Sequence, residues 1–271
     1  MASSRPVITL TTDFGLSDHY AGTMKCVISG ICPEAQIIDI THEIAPSDRL
    51  SAAYAISQAA PFSPLGSIHV VVVDPGVGTA RRAIAMRNDR NTFIAPDNGV
   101  LSLVMPADDN EIDKNDLVRE LTNPRISLPS QSATFQGRDL FAPAAAHLAA
   151  GNIGWEALGP QLKTCVRLPN FKPIVEFSGR WSGMVLSVDH FGNVITNFPI
   201  SLVAIDSKAF TLEANAYIVQ RFCRTFAEST TGEPFVYAGS SGYFEIAINQ
   251  GNAASAIGVS EGDPIVLEVR A

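Results

Sequence analysis

The sequence predicts an α/β fold in two parts: an N-terminal α/β domain on a mostly parallel central sheet, and a smaller C-terminal all-β domain. Between residues 7 and 74, β-branched runs alternate with helical segments in the order strand, helix, strand, helix, strand, which is typical of a parallel α/β unit. The third run holds four consecutive valines at 70–73, which indicates a strand buried on both faces. Beyond residue 180, short strands at turn spacing predict a β-barrel or a sandwich.

In the N-terminal domain, the elements follow from β-branched runs, helix-start signals and turn residues. The strands are expected at 7–12, 36–41, 67–74, 83–86 and 92–95, and the helices at 20–29, 46–60 and 140–150. Either Ser47 or Asp48 is suited to cap the second helix. The last two strands form a hairpin, since Asn-Asp-Arg-Asn between them is a typical turn composition. Pro143 falls in the first turn of the third helix, where its missing N–H costs nothing.

A linker is expected over residues 169–179, because the prolines at 169 and 173 interrupt any regular pattern there. It separates a domain of residues 1–168 from a domain of residues 180–271. The strands of the second domain are expected at 182–188, 194–197, 209–212, 235–237, 243–248 and 264–269.

Composition and charge exclude several classes of function. The net charge of −8 over 271 residues, without a Lys/Arg cluster, argues against nucleic acid as a partner. No apolar run approaches the ~20 residues needed to cross a bilayer, and the first residues do not resemble a signal peptide. We therefore expect a cytoplasmic protein that does not bind membranes. The four cysteines form no Cys-x-x-Cys motif and are expected to be buried free thiols in a reducing compartment.

Two isolated histidines, His42 and His69, lie beside predicted strands. No second histidine stands at a metal-ligand spacing from either, so hydrogen-bonded packing is the expected role of each. The sequence therefore predicts no metal site.

Charged residues follow the valine-rich strand at its carboxyl end. Asp74 ends the run, a Pro-Gly turn follows, and Arg81 comes seven residues after Asp74. Ligands of open α/β sheets bind at the carboxyl ends of the strands, so we predict an opposite-charge pair at a site. The alternative is a solvated ion pair on a surface turn, which contributes little.

The first strand also delivers a carboxylate, Asp13, into a Phe-Gly turn. Asp13 can accept hydrogen bonds from two vicinal hydroxyls, as ribose presents them, or it can cap the next helix. A glycine turn at Gly137 opens the third helix and leaves backbone N–H groups free for a small ligand. Beside it, Arg138 and Asp139 are expected to form a local ion pair.

Two loops of the second domain, at 189–193 and 238–242, are dense in polar and small residues. Binding residues often lie on such loops. Hairpin turns have the same composition, so the residue types alone leave both interpretations open.

Five motifs occur in order along nearly the whole chain. They are Thr-Thr-Asp-Phe-Gly at 11–15, Val-Asp-Pro-Gly-Val-Gly-Thr at 73–79, Thr-Phe-Gln-Gly-Arg-Asp at 134–139, Asp-His-Phe-Gly-Asn at 189–193 and Asn-Gln-Gly at 249–251. Together they resemble the S-adenosyl-L-methionine (SAM) hydroxide adenosyltransferases, which are adenosine-forming SAM hydrolases related to SAM-dependent fluorinating and chlorinating enzymes. The resemblance implies a C-terminal β-barrel, a homotrimer with active sites between neighbouring subunits, and SAM as the substrate with no cofactor.

The resemblance also implies a reaction and a set of roles. Water or hydroxide attacks the ribose C5′ in line with the departing sulfur, giving adenosine and methionine. The catalytic residues would be Asp74, Arg81 and Gln136, the first two matching the Asp-Arg-His trio with which the family activates water. The substrate-binding residues would be Asp13 at the ribose hydroxyls, Asp189 at the methionine ammonium, Phe191 and Asn193 at the adenine and Ser240 at the methionine end, together with Phe135, Gly137 and Asn249 of the same motifs.

Gln136 departs from the family pattern, which has histidine there. Glutamine donates and accepts hydrogen bonds but does not titrate near neutral pH, so we expect weakened or differently tuned hydrolysis. The alternative is a SAM- or adenosine-binding protein that lost activity with its proton acceptor. A halogenase is disfavoured, because halogenases carry tyrosine at the position of Asp74. An ionised carboxylate there repels a halide by a few kcal/mol at an effective dielectric of ~20.

Overall fold

Two units make up the chain in the computed structural model, which describes residues 5–106, 117–130, 132–169, 171–206 and 208–270. The first unit is Met1–Leu168 and the second is Pro169–Ala271. Each has its own sheet and its own hydrophobic core. The predicted α/β fold followed by an all-β part is confirmed.

The described part of the first unit contains a six-stranded sheet flanked by helices. In chain order the elements are β1 (Val7–Thr12), α1 (Tyr20–Ile31), β2 (Gln36–Thr41), α2 (Arg49–Ala59), β3 (Ile68–Val72), β4 (Ala83–Arg87), β5 (Thr92–Pro96), β6 (Val118–Glu120) and α3 (Ala142–Ala149). The strand order is β2-β1-β3-β5-β4-β6. Strands β1, β2, β3 and β5 run parallel, and β4 is antiparallel to β5 and β6.

Strand β3 lies at the centre of this sheet, and every residue in it is buried. Val70 and Val72 pack in one core cluster with residues of α1 and α3, whereas Val71 and Val73 pack in a second cluster with α2. Successive side chains of a strand point to opposite faces, so the valine run supplies both clusters. Burial of one valine contributes about 1.5–3 kcal/mol. The prediction of a strand buried on both faces is confirmed.

The register of the sheet brings the ends of β1 and β3 together. The two strands pair in parallel, and Thr12 opposite Val72 is the last pair. Asp13 therefore leaves the sheet one residue beyond β1, next to Asp74, which lies two residues beyond β3. The fold gathers both carboxylates at the carboxyl edge of the sheet, where ligands of α/β proteins bind.

Helix α2 is capped by Asp48, one of the two predicted candidates. The Asp48 Oδ1 accepts from the N–H groups of Leu50 and Ser51, each at 3.0 Å. Ser47 has a φ of 70°, a left-handed backbone that is uncommon for a residue other than glycine. Its N–H donates to Asp13 instead.

Helical structure near α3 begins earlier than predicted. A π-helical turn, Gly137–Phe141, leads directly into α3, and the Ala142 N–H donates to the Gly137 carbonyl five residues earlier, the spacing of a π-helix. Pro143 lies in the first turn of α3, as predicted.

The described part of the second unit forms a sheet of eight strands with one short helix, α4. The elements are β7 (Ile174–Phe177), β8 (Arg180–Val188), β9 (Val194–Pro199), β10 (Phe210–Ala214), β11 (Tyr217–Val219), β12 (Pro234–Ala238), β13 (Tyr243–Ile248), α4 (Ala253–Ile257) and β14 (Pro264–Val269). The order is β11-β10-β14-β8-β9-β13-β12, with β7 on β8. Just after β11, Cys223 N donates to Val236 O at 2.9 Å and Val236 N donates to Arg221 O at 2.8 Å. These bonds join the two ends of the order into a nearly closed barrel.

Some short elements were not predicted. Strand β7 lies in the stretch assigned to the linker, and all its side chains are exposed, so no buried face marks it in the sequence. Strands β6 and β11 have three residues each and α4 has five, which is too short for periodicity to detect. Helix α4 is bounded instead by the Asn252 side chain, which accepts from Ser255 N at 2.7 Å, and by Gly258 with a φ of 74°.

The four cysteines carry free thiols, as expected. Cys32, Cys165 and Cys223 are buried, whereas Cys26 on α1 is exposed, so the expectation of burial is wrong for Cys26. None of the helices in the described ranges has the length and apolarity to cross a membrane.

Candidate active site

Asp74 and Arg81 form a buried ion pair at the carboxyl edge of the first sheet. The Arg81 Nε lies 3.0 Å from each Asp74 carboxylate oxygen, and Arg81 Nη2 also donates to Oδ2. The two side chains are only 5% and 11% exposed, respectively. The pairing predicted from sequence is confirmed, and the alternative of a solvated surface pair is wrong.

The turn between these residues is held by its own hydrogen bonds. Val77 N donates to the Asp74 carbonyl at 3.2 Å, and the Thr79 hydroxyl donates to the Gly76 carbonyl at 2.7 Å. Gly78 has a φ of 79°, and a Cβ there would lie 2.9 Å from the Ala133 carbonyl oxygen, so glycine is required. The turn thereby returns the guanidinium to the strand end.

Gln136 joins the pair from a distant part of the chain. Its Oε1 accepts from Arg81 Nη2, and it directly precedes the π-helical turn. Arg81 also lies over the Phe141 ring, 5.4 Å from the centroid, a cation–π geometry. The structure thus brings together the three residues predicted to be catalytic. Within the described residues, the Gln136 amide nitrogen has no hydrogen-bond partner.

Asp74 and Gln136 border a cavity of about 80 Å³, whereas Arg81 lies behind its lining. The lining thus includes two of the three predicted catalytic residues and three predicted substrate-binding residues, together with residues that were not predicted: Asp13, Phe14, Ser47, Val72, Asp74, Pro75, Val77, Thr134, Phe135, Gln136 and Gly137. A polar cavity of this size has room for more than one water molecule.

Asp13 presents a carboxylate to this cavity. Its Oδ2 accepts from Ser47 N at 2.9 Å, and within the described residues its Oδ1 has no hydrogen-bond partner. Helix α1 begins at Tyr20 and has no side-chain cap, so the alternative that Asp13 caps this helix is wrong. Sequence reasoning placed Ser47 at the helix cap and missed its place at the site.

The aromatic side chains of Phe14 and Phe135 form one wall of the cavity. Tyr20 packs against both rings, and the three ring centroids are 5.0–5.9 Å apart. Gly137 packs against this wall, and a Cβ there would lie 3.3 Å from Phe14 and 3.2 Å from Met24. The predicted glycine thus permits close packing beside Gln136.

The predicted ion pair of Arg138 and Asp139 is present behind the wall. Arg138 Nε lies 2.5 Å from Asp139 Oδ1, and Ser132 N donates to Oδ2 at 2.7 Å. Burial raises the pKa of Asp139, but the hydrogen bonds from Arg138 and Ser132 outweigh it and hold that pKa below its usual value. The pair fixes the loop before Gln136 and does not line the cavity.

The second unit contains a separate pocket of about 490 Å³. Three of the predicted substrate-binding residues line it together with four others: Asp189, Phe191, Asn193, Phe226, Ile248, Gln250 and Gly251. Phe191 is 74% exposed, which is unusual for a large apolar side chain and gives the pocket an aromatic rim.

Asp189 organises the loop that carries these residues. Its Oδ1 accepts from the N–H groups of Phe191 and Asn193 at 2.9 and 2.8 Å, and its Oδ2 accepts from Asn193 Nδ2 at 2.8 Å. Gly192 has a φ of 82°, and a Cβ there would lie 2.1 Å from Asn252. The loop is therefore held by its own hydrogen bonds and by packing on Asn252.

Two predicted substrate residues line neither the cavity nor this pocket. Ser240 is exposed in the turn between β12 and β13. Asn249 supports the pocket indirectly, because its Nδ2 donates to the carbonyl of Phe226 at 3.1 Å. Phe226 and Ile248 were missed in the sequence, where single apolar residues carry no signal for a site.

The isolated histidines are packed as predicted. His69 forms hydrogen bonds through Nδ1 to Thr9 Oγ1 at 2.7 Å and through Nε2 to Ser63 Oγ at 3.2 Å. Burial lowers its pKa to about 4. His42 bonds to Thr12 Oγ1 at 2.8 Å. The described residues contain no group of three or more His, Cys, Asp or Glu side chains that could hold a metal ion.

Fold and site define a class of protein: an α/β unit with a carboxylate-lined cavity at the carboxyl edge of its sheet, followed by a barrel-like unit with a second pocket. The family follows from two matches, to the SAM hydroxide adenosyltransferase N-terminal domain over residues 8–159 and to the C-terminal domain of that family over residues 183–266. The chain belongs to the SAM hydroxide adenosyltransferase family of enzymes.

Known relatives agree with this assignment. The chain is 40% identical over 270 residues to a protein of Thermus thermophilus named (R)-S-adenosyl-L-methionine hydrolase, covering 97% of this chain and 99% of the relative. It superimposes on a crystal structure of an uncharacterised conserved protein from Thermotoga maritima with a TM-score of 0.84 and 38% identity, covering 96% and 99% of the two chains. A fluorinase of Actinoplanes is more distant, at 27% identity over 92% of each chain.

Proposed function

We propose that this protein hydrolyses SAM to adenosine and L-methionine by in-line attack of water on the ribose C5′. The observation that carries the proposal is the cluster in which Arg81 binds both Asp74 and Gln136, since those two residues line a cavity that Asp13 also lines. The name of the Thermus relative supports the same reaction.

The chemistry requires little beyond a placed nucleophile. The bond from the water oxygen to C5′ forms as the C5′–S bond breaks, and the sulfonium keeps the electron pair as the neutral thioether of methionine. No general acid is therefore needed at the sulfur. The protein must hold the water in line and exclude competing solvent.

Each member of the cluster has a distinct task. Asp74 orients the water and accepts its proton, because the other two groups cannot accept one near neutral pH. The Arg81 guanidinium stabilises the developing hydroxide character. Gln136 uses its Oε1 to hold Arg81, which leaves its amide N–H groups as donors to the water.

Substrate recognition is shared by the predicted residues of the first cavity and those of the second pocket. Asp13 binds the ribose hydroxyls with its free carboxylate oxygen, beside Phe135 and Gly137. In the second pocket, Asp189 binds the methionine ammonium, and Phe191 and Asn193 contact the adenine. Ser240 contacts the methionine end of SAM, and Asn249 supports the pocket through Phe226.

We also propose a cytoplasmic homotrimer with active sites between neighbouring subunits and no cofactor. The free cysteines suit a reducing compartment. The trimer comes from the family resemblance, and its test is a mass measurement in solution that returns three times the 28.9 kDa chain.

A second candidate function is binding of SAM or adenosine without turnover. Gln136 favours it, since the family's titratable histidine is missing from an otherwise assembled cluster. A halogenase is a poor third candidate, because the Asp74 carboxylate stands where the nucleophile must enter and repels a halide.

One incubation separates these functions. Purified protein is mixed with SAM, with and without chloride, and the products are identified by mass spectrometry. Adenosine and methionine in equal amounts support the hydrolase. Unchanged SAM with tight binding supports the binding protein, and 5′-chloro-5′-deoxyadenosine supports the halogenase.

A further inference from the structure

His42 bonds to the chain on both sides of Asp13. On one side, its Nδ1 bonds to the hydroxyl of Thr12 at 2.8 Å. On the other side, its backbone carbonyl accepts from Gly15 N at 2.7 Å. Thr12 Oγ1 also accepts from Phe14 N at 3.3 Å, so the residues before and after Asp13 are tied to one imidazole-bearing residue.

His42 is itself fixed from behind. It is 2% exposed, and its Nε2 lies 3.1 Å from a carboxylate oxygen of Asp39. Burial raises the pKa of Asp39, but its contacts with Lys25 and His42 outweigh burial and hold that pKa below its usual value. The ionised carboxylate favours a ring proton on the nitrogen that faces it, although the contact with Nε2 lacks the geometry of a hydrogen bond. Nδ1 is then the acceptor for the Thr12 hydroxyl.

The result is a directed chain of groups that ends at the site. Asp39 lies against His42, His42 accepts from Thr12, and Thr12 accepts from the backbone of the residue after Asp13. Meanwhile Ser47 N occupies Asp13 Oδ2 at 2.9 Å, which leaves Oδ1 to a ligand. Buried hydrogen bonds such as the one between His42 and Thr12 hold the groups that they join in one geometry.

We propose that His42 is the positioning residue for Asp13, fixing residues 12–15 so that the free carboxylate oxygen accepts from the ribose hydroxyls of the substrate. This inference rests on the proposed function, in particular on the contact between Asp13 and ribose. It assigns His42 no contact with the substrate itself.

The test separates the Thr12 bond from the Asp39 contact. In His42→Asn, the amide replaces Nδ1 and keeps a bond to Thr12. In His42→Gln, the amide replaces Nε2, so the variant keeps the contact with Asp39 and loses the hydrogen bond to Thr12. A matched control is His69→Gln, because His69 is equally buried and bonds Thr9 of the same strand at 2.7 Å, away from Asp13.

The readout is the preference for adenosine over 2′,3′-dideoxyadenosine, measured by titration calorimetry. The wild type and His69→Gln should prefer adenosine by about 10-fold or more, since hydrogen bonds to a charged group are strong. His42→Gln should lose most of this preference, and His42→Asn should keep it to within about 3-fold. The dideoxy affinity should be the same in all four proteins.

Three results overturn the inference. First, if His42→Gln retains the preference for adenosine, His42 does not position Asp13, although Asp13 still contacts the ribose. Second, if the affinities of His42→Gln for adenosine and for 2′,3′-dideoxyadenosine fall by the same factor, His42 has only a general structural role. If the wild type shows no adenosine preference, the proposed Asp13 contact fails, and the inference fails with it.

Discussion

Arg81 binds Asp74 through both carboxylate oxygens, at 3.0 Å from Nε to each, with both side chains nearly buried. Desolvated pairs of this kind are costly to break, because removing one partner leaves the other charge buried and uncompensated. In the proposed mechanism, the Asp74 carboxylate of this pair accepts the proton from water. Its removal should therefore affect both turnover and folding.

The Asp74→Asn variant should lose turnover and stability together. Loss of the proton acceptor should lower kcat for SAM by about 100-fold or more. The buried positive charge of Arg81 is then left without a partner, which should lower the free energy of unfolding by about 3–5 kcal/mol. Rates of adenosine release and urea unfolding measure the two effects.

Asp97→Asn is the matched control for this prediction. Asp97 is a buried carboxylate with Arg82 Nε at 2.8 Å, although the Arg82 side chain is 34% exposed, and Asp97 does not line the cavity. This variant should lose stability and keep kcat. Equal losses of kcat in the two variants would assign the Asp74 effect to folding alone.

Replacing Gln136 by histidine should raise the hydrolysis rate. A histidine restores a titratable acceptor beside Arg81, and general-base assistance should raise kcat by about 10-fold or more. The rate of Gln136→His should also increase with pH through ~6.5, where an ordinary histidine loses its proton.

The control for this change is Gln58→His on α2, away from the cavity. It should leave both the rate and its pH profile unchanged. A rate in Gln136→His that stays flat or falls would show that this position matters less than proposed.

Ser47 should tolerate glycine and reject proline. Ser47→Gly keeps the N–H that binds Asp13 and relieves the positive φ of 70°, so stability should stay equal or rise by up to about 1 kcal/mol. Ser47→Pro removes the N–H and cannot adopt this φ, so it should lose more than ~1 kcal/mol and raise the KM for SAM. Thermal unfolding and initial rates distinguish the two; an unchanged KM in Ser47→Pro contradicts the role assigned to this N–H.

Burial of His69 should make the protein less stable in mild acid. Its pKa is about 4 in the folded protein and ~6.5 in an unfolded chain, so the unfolded state binds a proton first as pH falls. The stabilisation is complete above pH ~6.5 and is lost progressively toward pH ~4.

This predicts that the stability difference between the wild type and His69→Gln narrows by about 2 kcal/mol from pH 7 to pH 5. Urea unfolding at the two pH values measures it. A difference that stays constant would mean that His69 keeps an ordinary pKa in the folded protein.

Much of the fold was predictable because its signals are local. The bounds of β1 (Val7–Thr12), β2 (Gln36–Thr41), β13 (Tyr243–Ile248) and β14 (Pro264–Val269) agree with those expected from β-branched and apolar runs. Strand β7 was not predictable, because a strand that is exposed on both faces has no hydrophobic pattern.

The site was predictable only in part, for a related reason. Asp13 and Asp74 stand at strand ends, which a sequence marks clearly. The bond between Arg81 and Gln136 spans 55 positions, and the bond between Asp13 and Ser47 spans 34. No periodic pattern in the sequence connects residues that lie so far apart along the chain.

By itself, the sequence determined the order of strands and helices, the carboxylates at the strand ends and the motifs of the family. These depend on side-chain periodicity and turn chemistry within short stretches of chain. Only the tertiary structure decided that Asp74 and Arg81 are buried and that Gln136 joins them. It also decided that Ser47 binds Asp13 and that His42 bonds to the chain on both sides of Asp13. Burial and long-range hydrogen bonds arise from packing of distant segments, and they set the electrostatics on which the proposed chemistry depends.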